Sequence, residues 1–212
     1  MLIHPWDAAD DAEWRAWLAD GHDFGQLIAV DDDYRPMVTP LHFQFDGTDL
    51  LRFHLARPNP IWPVLAARPR ATVTVVDDYA FIPGTWRAPA GVAAEDGVPT
   101  SYFASVQLFG EVRVLHDPEE KAELLRQQLS HFQPTGDHGP VTPDGPPYGR
   151  QLPGILGGEL RVREVRAKFK YGDRVGDAEQ LPVAERLLAR DEGRDPGARK
   201  QQLRRRNRPR TS

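Results

Sequence analysis

The stretch from residue 101 to 115, SYFASVQLFGEVRVL, alternates between apolar and polar side chains over most of its length. One parity holds the apolar side chains Tyr102, Ala104, Val106, Leu108, Val112 and Val114. The other parity holds the polar side chains Ser105, Gln107, Glu111 and Arg113. Alternation of period two is typical of a β-strand with one buried face. Gly110 interrupts the run, and glycine is common where a barrel strand bends.

Other segments of the chain have a similar strand-like pattern. They are FGQLIAV (24–30), MVTPLHFQF (37–45), DLLRFHLA (49–56), ATVTVVDD (71–78) and GELRVREVRAKFKY (158–171). Short polar turns, DDDYRP and DGT, connect the first three and predict hairpins. Helices are predicted over residues 7–20, around 61–67, after the capping sequence DPEE at 117–120, and from residue 178 onward. The pattern favours a mainly β, α+β fold: a small closed barrel with helical additions.

Composition excludes several kinds of site. The 212 residues contain no cysteine, which excludes disulfides, cysteine-ligated zinc, iron–sulfur clusters and thiol nucleophiles. The seven histidines show no pair at zinc-site spacing, and there is no phosphate-binding loop, dinucleotide fingerprint or serine-hydrolase elbow. No apolar run approaches the roughly 20 residues of a membrane span, and the N-terminus does not resemble a secretion signal. We therefore expect a cytoplasmic protein without a membrane partner.

The net charge of −4 is unevenly distributed. Two arginines face eleven acids through residue 50, whereas RKQQLRRRNRPR at 199–210 carries seven cations and no acid. We expect residues 1–192 to form one domain and 193–212 a flexible basic tail. A basic tail can contact nucleic acid, but no known DNA- or RNA-recognition motif accompanies this one, so a solvated terminus is favoured. Such a terminus could also dock on the acidic N-terminal region of a partner subunit.

The segment DLLRFHLARPNPIW contains the strongest candidate site. As a strand it places His54 on the face opposite Leu51 and Phe53, directly before a turn with Arg57 and Asn59. A side chain at the end of a rigid strand is well placed to build a site. The competing interpretation is a surface histidine without a functional role.

Four segments taken in order resemble the signature blocks of PaiB-type proteins, the "FMN-binding negative transcriptional regulators". They are HLARPNPIW, DDYAFIPGTW, VPTSYFASVQLFGEVRVL with the following HDP, and AKFKYGDR. The resemblance runs from about the first helix to about residue 188. It implies an FMN-binding split β-barrel that forms a homodimer with a cofactor at the subunit interface. In this fold the helices are one at the N-terminus, one after the long central strand and one at the C-terminus.

Departures from the family pattern concern the polar groups that hold a flavin. Ser101 and Tyr102 replace a Trp–Asn pair, and Gly172-Asp173-Arg174 replaces a Ser-Gln-Asn run. The sequence is also similar to piperazate synthases, a haem-dependent branch of the same family. That resemblance implies a haem b enzyme that forms an N–N bond, closing N5-hydroxy-L-ornithine, a small amino-acid-like substrate, to L-piperazate with loss of water. The alternative is a PaiB-like FMN-binding regulator or flavin-dependent reductase.

On the haem interpretation, the resemblance implies specific roles. His54 would be the iron ligand, and Tyr102 or His42 the general base. The other expected cofactor-binding residues are cationic, polar or aromatic: Arg57, Asn59, Trp62, Trp86, Thr100, Phe103, Lys168 and Lys170. A third class, a DNA-contacting repressor without a cofactor, depends on the basic tail alone.

Overall fold

The structure is a computed structural model that describes residues 1–89 and 91–208. In this part of the chain the strands are β1 (Phe24–Val30), β2 (Pro36–His42), β3 (Gln44–Phe45), β4 (Leu50–Ala56), β5 (Arg70–Ile82), β6 (Thr100–Leu115) and β7 (Ile155–Lys170). The α-helices are α1 (Asp11–Ala19), α2 (Ile61–Ala67), α3 (Pro118–Phe132), α4 (Asp177–Arg190) and α5 (Asp195–Arg206). The strands form a seven-stranded sheet in the order β2-β1-β5-β6-β7-β4-β3. This arrangement confirms the prediction of a mainly β, α+β fold with additional helices.

Two tight turns set the strand register at one end of the chain. Strands β1 and β2 pair antiparallel, from Phe24 opposite His42 to Val30 opposite Pro36. The Asp31 carboxylate holds their turn by accepting hydrogen bonds from two backbone amides, 3.0 and 2.9 Å away. In the β3–β4 hairpin the Asp46 carboxylate accepts three such bonds. Aspartate favours such turns because its short side chain reaches its own backbone.

The chain groups into two compact units, each discontinuous in sequence. The first, unit A, comprises Met1–Asp11, Val76–Val106 and Arg166 onward. The second, unit B, comprises Ala12–Val75 and Gln107–Val165. The sequence is expected to form one domain through residue 192, whereas three of its strands, β5, β6 and β7, contribute residues to both units.

Unit B has its core between the sheet and its helices. Strand β4 pairs antiparallel with β7, placing Phe53 opposite Gly158. The Phe53 ring is completely buried and fills the space that a side chain at Gly158 would occupy. Helix α3 begins as predicted, with the Asp117 carboxylate accepting hydrogen bonds from the amides of residues 119 and 120 at 2.9 and 3.0 Å. Its apolar face packs into a cluster with Leu115 and Leu152.

Unit A is centred on a buried polar contact between β5, β7 and α5. The hydroxyl of Tyr171, at the end of β7, donates to the backbone carbonyl of Asp78 at 2.9 Å. The amide of Gln201 on α5 donates to the Asp78 carboxylate at 2.8 Å. Burial raises the pKa of the Tyr171 phenol, so this donor keeps its proton. Helix α5 is therefore an integral part of unit A.

The prediction of a flexible tail over 193–212 is wrong through residue 208, because α5 is anchored by its arginines. The Arg205 guanidinium contacts the Asp173 carboxylate at 2.7 Å and donates to the carbonyls of Trp6 and Ala8 at 2.8 and 3.3 Å. Arg206 and Arg208 pair with acids at positions 177 and 10, at 2.9 and 2.6 Å. The basic segment thus docks on residues 173–177 and on the N-terminal residues 6–10 of its own chain, and not on a partner subunit as the sequence analysis allowed. The remaining residues of the predicted tail, 209–212, lie outside the described residues.

The N-terminal helix also differs from its prediction. A 3-10 turn spans Pro5–Asp7, and α1 begins only at Asp11. Asp7 does not cap a helix, because its buried carboxylate faces the Lys168 ammonium at 3.5 Å. Ala8 forms an isolated bridge with Lys168, which keeps the backbone extended there. Among the described residues, no helix has the length and apolar composition needed to cross a bilayer.

Candidate functional site

The strongest candidate site lies in unit B, at the end of β4. Along this strand Leu51 and Phe53 are fully buried, while His54 is exposed, as the alternation predicts. The His54 Nδ1 lies 2.6 Å from the side-chain oxygen of Gln128 on α3. The ring is therefore held by a buried partner while its opposite edge faces outward.

The hydrogen bonds of Gln128 determine which His54 nitrogen carries the proton. The Gln128 amide nitrogen donates to the backbone carbonyl of Arg52 at 3.1 Å, so its oxygen must be the atom that faces His54. That oxygen only accepts, and His54 Nδ1 must then be the N–H donor. In the neutral imidazole the lone pair consequently lies on Nε2, at the outward edge. An imidazole oriented in this way can ligate a metal or accept a proton.

Arg57 lies in the turn that follows His54 and is fixed by backbone carbonyls. Its Nε donates to the Pro153 carbonyl at 2.7 Å, and its backbone amide donates to the Gly154 carbonyl at 2.8 Å. The described structure gives its two terminal nitrogens no protein partner, and the side chain is exposed. Arg57 therefore presents a fixed pair of cationic donors to solvent, which is suited to a carboxylate or phosphate.

Lys121 on α3 completes this arrangement from the buried side. Its ammonium donates to the carbonyls of Leu152 and Ile155 at 2.6 and 3.3 Å, and the residue is only 2% exposed. Burial, together with the nearby positive charge of Arg57, lowers the pKa of Lys121. Four consecutive carbonyls, of residues 152 to 155, thus accept hydrogen bonds from Arg57 and Lys121. We call this arrangement the carbonyl clamp.

Two expected cofactor contacts near His54 have structural roles instead. The Asn59 side chain accepts a hydrogen bond from the Ile61 amide at 3.0 Å, which fixes the start of α2. Trp62 is 4% exposed, stacks on Phe53 at 6.1 Å between ring centroids, and donates its indole N–H to the Ala56 carbonyl at 3.0 Å. The expectation that Trp62 forms a cofactor wall is therefore wrong, because its ring is part of the core.

Unit A contains a second pair of candidate residues. The Lys170 ammonium donates to the Thr100 hydroxyl oxygen at 2.9 Å, and both side chains are half-buried. Because the hydroxyl accepts this bond, its own hydrogen and the two other ammonium hydrogens are available to a further acceptor. The two residues, expected from the resemblance to bind a cofactor, are thus brought together as a small donor group.

Three other expected cofactor contacts in unit A are engaged within the protein. Lys168 donates to the Leu2 carbonyl at 2.9 Å and lies 5.8 Å from the centroid of the Phe103 ring. Trp86, in a 3-10 turn after β5, is covered by Arg190, whose guanidinium lies 4.8 Å from the ring centroid. Lys168 therefore holds the N-terminal segment through the Leu2 carbonyl. The rings of Phe103 and Trp86 each lie beside a cation of the protein itself, Lys168 and Arg190 respectively.

The two candidate general bases differ in their surroundings. Tyr102 is 2% exposed, and burial raises the pKa of its phenol to about 12, which disfavours the phenolate that a base near neutral pH requires. His42, at the end of β2 in unit B, is exposed and contacts Phe24 and Phe132 at centroid distances of 4.7 and 5.4 Å. His42 remains a candidate proton acceptor.

Sequence reasoning missed Gln128 and Lys121. Both lie on the buried face of α3, where a polar side chain reads simply as part of an amphipathic helix. Their partners are 74 and 31 residues away in sequence, so no local pattern indicates these contacts. Among the described residues, no three or more histidine, aspartate or glutamate side chains are grouped in a way that could hold a metal ion.

A comparison with models of protein families identifies the family of this chain. A family model described as "Putative FMN-binding domain" matches residues 1–164, more than three quarters of the sequence. The chain belongs to this FMN-binding domain family. It is also 25% identical over 170 residues to the "Protease synthase and sporulation protein PAI 2" of Bacillus subtilis, covering 77% of this chain and 78% of the relative. These matches confirm the PaiB-type family predicted from the four sequence blocks.

Solved structures agree on the fold of this FMN-binding domain protein. A flavocytochrome of Azotobacter vinelandii is similar with a TM-score of 0.59 and 20% identity, over 83% of this chain and 75% of that one. A FAD- and haem-binding protein of Mycobacterium smegmatis is similar with a TM-score of 0.57 and 20% identity, over 77% and 73%. The fold is the split β-barrel of flavin-binding proteins, which confirms the predicted fold class.

Proposed function

We propose that this protein is a PaiB-type flavoprotein that binds FMN and that Lys170 and Thr100 bind the FMN phosphate. The observation that carries the proposal is their 2.9 Å hydrogen bond, which leaves two ammonium hydrogens and one hydroxyl hydrogen available to a further acceptor. Phosphate oxygens are strong acceptors, and charge-assisted bonds to them are short and strong. Membership of the FMN-binding domain family supports the choice of FMN.

The donor group fits a phosphate better than it fits an uncharged ligand. Lys170 and Thr100 are each half-buried, so a bound phosphate would be partly shielded from water, which strengthens its attraction to the ammonium. When bound, FMN supplies one- and two-electron redox chemistry. The chain's own contribution is to hold the phosphate at Lys170 Nζ and Thr100 Oγ1.

Absorption spectroscopy with added FMN tests this proposal. The protein should retain FMN through gel filtration, with the flavin bands in the protein peak. Lys170→Met and Thr100→Val should each weaken FMN binding about tenfold, whereas the exposed control Lys200→Met should not. Absence of FMN binding by the unaltered protein, or equal loss in all three variants, would refute it.

The orientation of His54 favours a second candidate function, haem binding. Its Nε2 lone pair points outward because Gln128 holds Nδ1 as a donor, the arrangement usual for a ligating histidine. Arg57, three residues on, offers two terminal nitrogens to a propionate or to a substrate carboxylate. The residues therefore fit haem b ligated by His54.

On this second proposal the protein is an N–N bond-forming enzyme of the piperazate synthase kind. Haem iron supplies a Lewis-acidic or redox centre for a hydroxylamine nitrogen. The chain would bind N5-hydroxy-L-ornithine by its carboxylate at Arg57, hold its two nitrogens close together and exclude water. His42 would accept the proton of the attacking amine. Ring closure gives L-piperazate and one molecule of water.

Hemin titration separates the two candidates. A ligated iron should shift the Soret band in the unaltered protein and in His42→Ala, but not in His54→Ala. Turnover of N5-hydroxy-L-ornithine, followed by mass spectrometry, should then require both His54 and His42. A Soret shift that survives in His54→Ala would remove this residue from the role of ligand and refute the second candidate.

We also propose that the protein is a homodimer, on the basis of the family resemblance. Light scattering coupled to gel filtration should give twice the chain mass of 23.9 kDa. A monomeric mass at micromolar concentration would contradict this proposal.

A further inference from the structure

Unit A contains a cavity of about 660 Å³ that the proposed functions do not use. Three segments form it: the N-terminal residues 5–10, the loop that follows β7 with Gln180 of α4, and the end of α5 with Arg208 beyond it. Its volume falls in the range of roughly 300–1,000 Å³ typical of small-molecule sites. Neither Lys170 nor Thr100 lines it.

The lining of this cavity is positively charged, although the whole chain is acidic. Four arginines and two aspartates line it, and the Asp177 carboxylate pairs with Arg206 at 2.9 Å, which leaves an excess of one positive charge in a protein of net charge −4. Three of the arginines are paired with carboxylates at 2.6–2.9 Å, and Arg205 is almost completely buried. These three ion pairs fix the wall, and their carboxylates balance the charges of the arginines.

The fourth arginine, Arg174, is placed differently. Its side chain is exposed, and its guanidinium lies 5.4 Å from the centroid of the Trp6 ring. Among the described residues it has no carboxylate partner. Trp6 is itself 41% exposed and stacks on His4 at a centroid distance of 4.7 Å. The cavity therefore combines an unneutralised cation with an exposed indole.

Both Arg174 and Trp6 are carried by backbone that is held in place. Gln180, only 2% exposed, donates to the carbonyls of Gly172 and Val175 at 3.0 and 2.9 Å, on the two sides of Arg174. Arg205 donates to the Trp6 carbonyl at 2.8 Å. A site whose walls are already ordered loses little entropy when a ligand binds.

We propose that this cavity binds an organic phosphate that carries a planar ring, of the size of a mononucleotide. A phosphate monoester is an anion at neutral pH, and it is attracted to Arg174, the lining arginine that is not balanced by a carboxylate among the described residues. Its oxygens bind the Arg174 guanidinium, for which the planar fork is well suited. The ring of the ligand contacts the exposed part of the Trp6 indole.

Calorimetric titration with three probes tests the two halves of this proposal. Adenosine 5′-monophosphate should bind at least tenfold more tightly than adenosine, which lacks the phosphate, and than ribose 5-phosphate, which lacks the ring. Arg174→Gln and Trp6→Ala should each weaken binding of the nucleotide about tenfold. A matched control, Arg186→Gln, changes an exposed arginine of the same unit whose guanidinium donates to the Thr85 carbonyl at 3.0 Å, and it should leave the affinity unchanged.

The outcome also separates this cavity from the proposed FMN site. Lys170→Met should weaken FMN binding and leave nucleotide binding within twofold of the unaltered protein, and Arg174→Gln should do the reverse. No measurable nucleotide binding at millimolar concentration would overturn the proposal. So would an equal loss in Arg174→Gln and Arg186→Gln, or loss of FMN and nucleotide binding together in Arg174→Gln.

Discussion

Replacing Gln128 by leucine should release the His54 ring from a single protonation pattern. Leucine matches glutamine closely in size and fits a site that is 4% exposed, so the change removes polar atoms without opening a cavity. It deletes the acceptor 2.6 Å from His54 Nδ1 and the donor 3.1 Å from the Arg52 carbonyl. We therefore expect one effect on stability and another on the imidazole.

The magnitudes follow from the two hydrogen bonds. Each contributes about 1 kcal/mol net, so Gln128→Leu should lower the free energy of unfolding by about 2 kcal/mol. The bond to Nδ1 forms in only one tautomer, so its loss should reduce the preference for that tautomer about fivefold to tenfold. A ligand that needs the Nε2 lone pair should lose affinity by the same factor or more.

Nitrogen-15 NMR of the imidazoles measures the tautomer without any cofactor. With neutral imidazoles in the unaltered protein, His54 should show a protonated Nδ1 and an unprotonated Nε2, and Gln128→Leu should average the two nitrogens. Gln127→Leu is the matched control, since the neighbouring amide bonds to Glu123 and should leave His54 unchanged. A protonated Nε2 in the unaltered protein, or an unchanged spectrum in Gln128→Leu, would refute the reasoning.

Three further substitutions test the packing and the buried charges. Gly158→Ala should destabilise the protein by about 2–3 kcal/mol in urea unfolding, because a methyl group there overlaps the buried Phe53 ring; a loss below about 0.5 kcal/mol would contradict that packing. Lys121→Met should change the pH dependence of stability. Since burial lowers the pKa of Lys121, the unfolded chain holds its proton to higher pH, so the unaltered protein gains stability relative to the variant as the pH rises toward the usual titration range of lysine; a constant difference would argue against the lowered pKa. Arg205→Met removes the cation that pairs with the largely buried Asp173 carboxylate and should cost about 3 kcal/mol in calorimetric unfolding, and a loss as small as that of a surface ion pair would show that α5 is not anchored by this residue.

Much of the fold was predictable because its signals are local. The alternation in β6, the aspartate turns and the capping sequence before α3 each depend on neighbouring residues. The start of α1 was mispredicted because Asp7 pairs with Lys168, a contact across most of the chain. The order of helix α5 was missed for the same reason. An arginine-rich segment reads as solvated unless the positions of its distant acidic partners are known.

The candidate site was predictable only in part. Strand alternation gave the outward orientation of His54, and the family resemblance pointed to Lys170 and Thr100. The role assigned to Trp62 was wrong, because an aromatic residue after a strand fits a core as well as a cofactor wall. The tautomer of His54 depends on Gln128, and nothing in one sequence indicates that pairing.

The anchoring of α5 has a consequence for how the chain is completed during synthesis. All residues of unit B have been synthesised once the chain reaches residue 165. Unit A, in contrast, needs the first residues of the chain, a middle segment and α5 together. Arg205 closes a loop of 199 residues with Trp6, so the N-terminal segment must wait for nearly the whole chain to leave the ribosome. A nascent chain stopped before α5 would thus lack the hydrogen bond to the Trp6 carbonyl and the two arginines that lie over the Phe169 ring of β7.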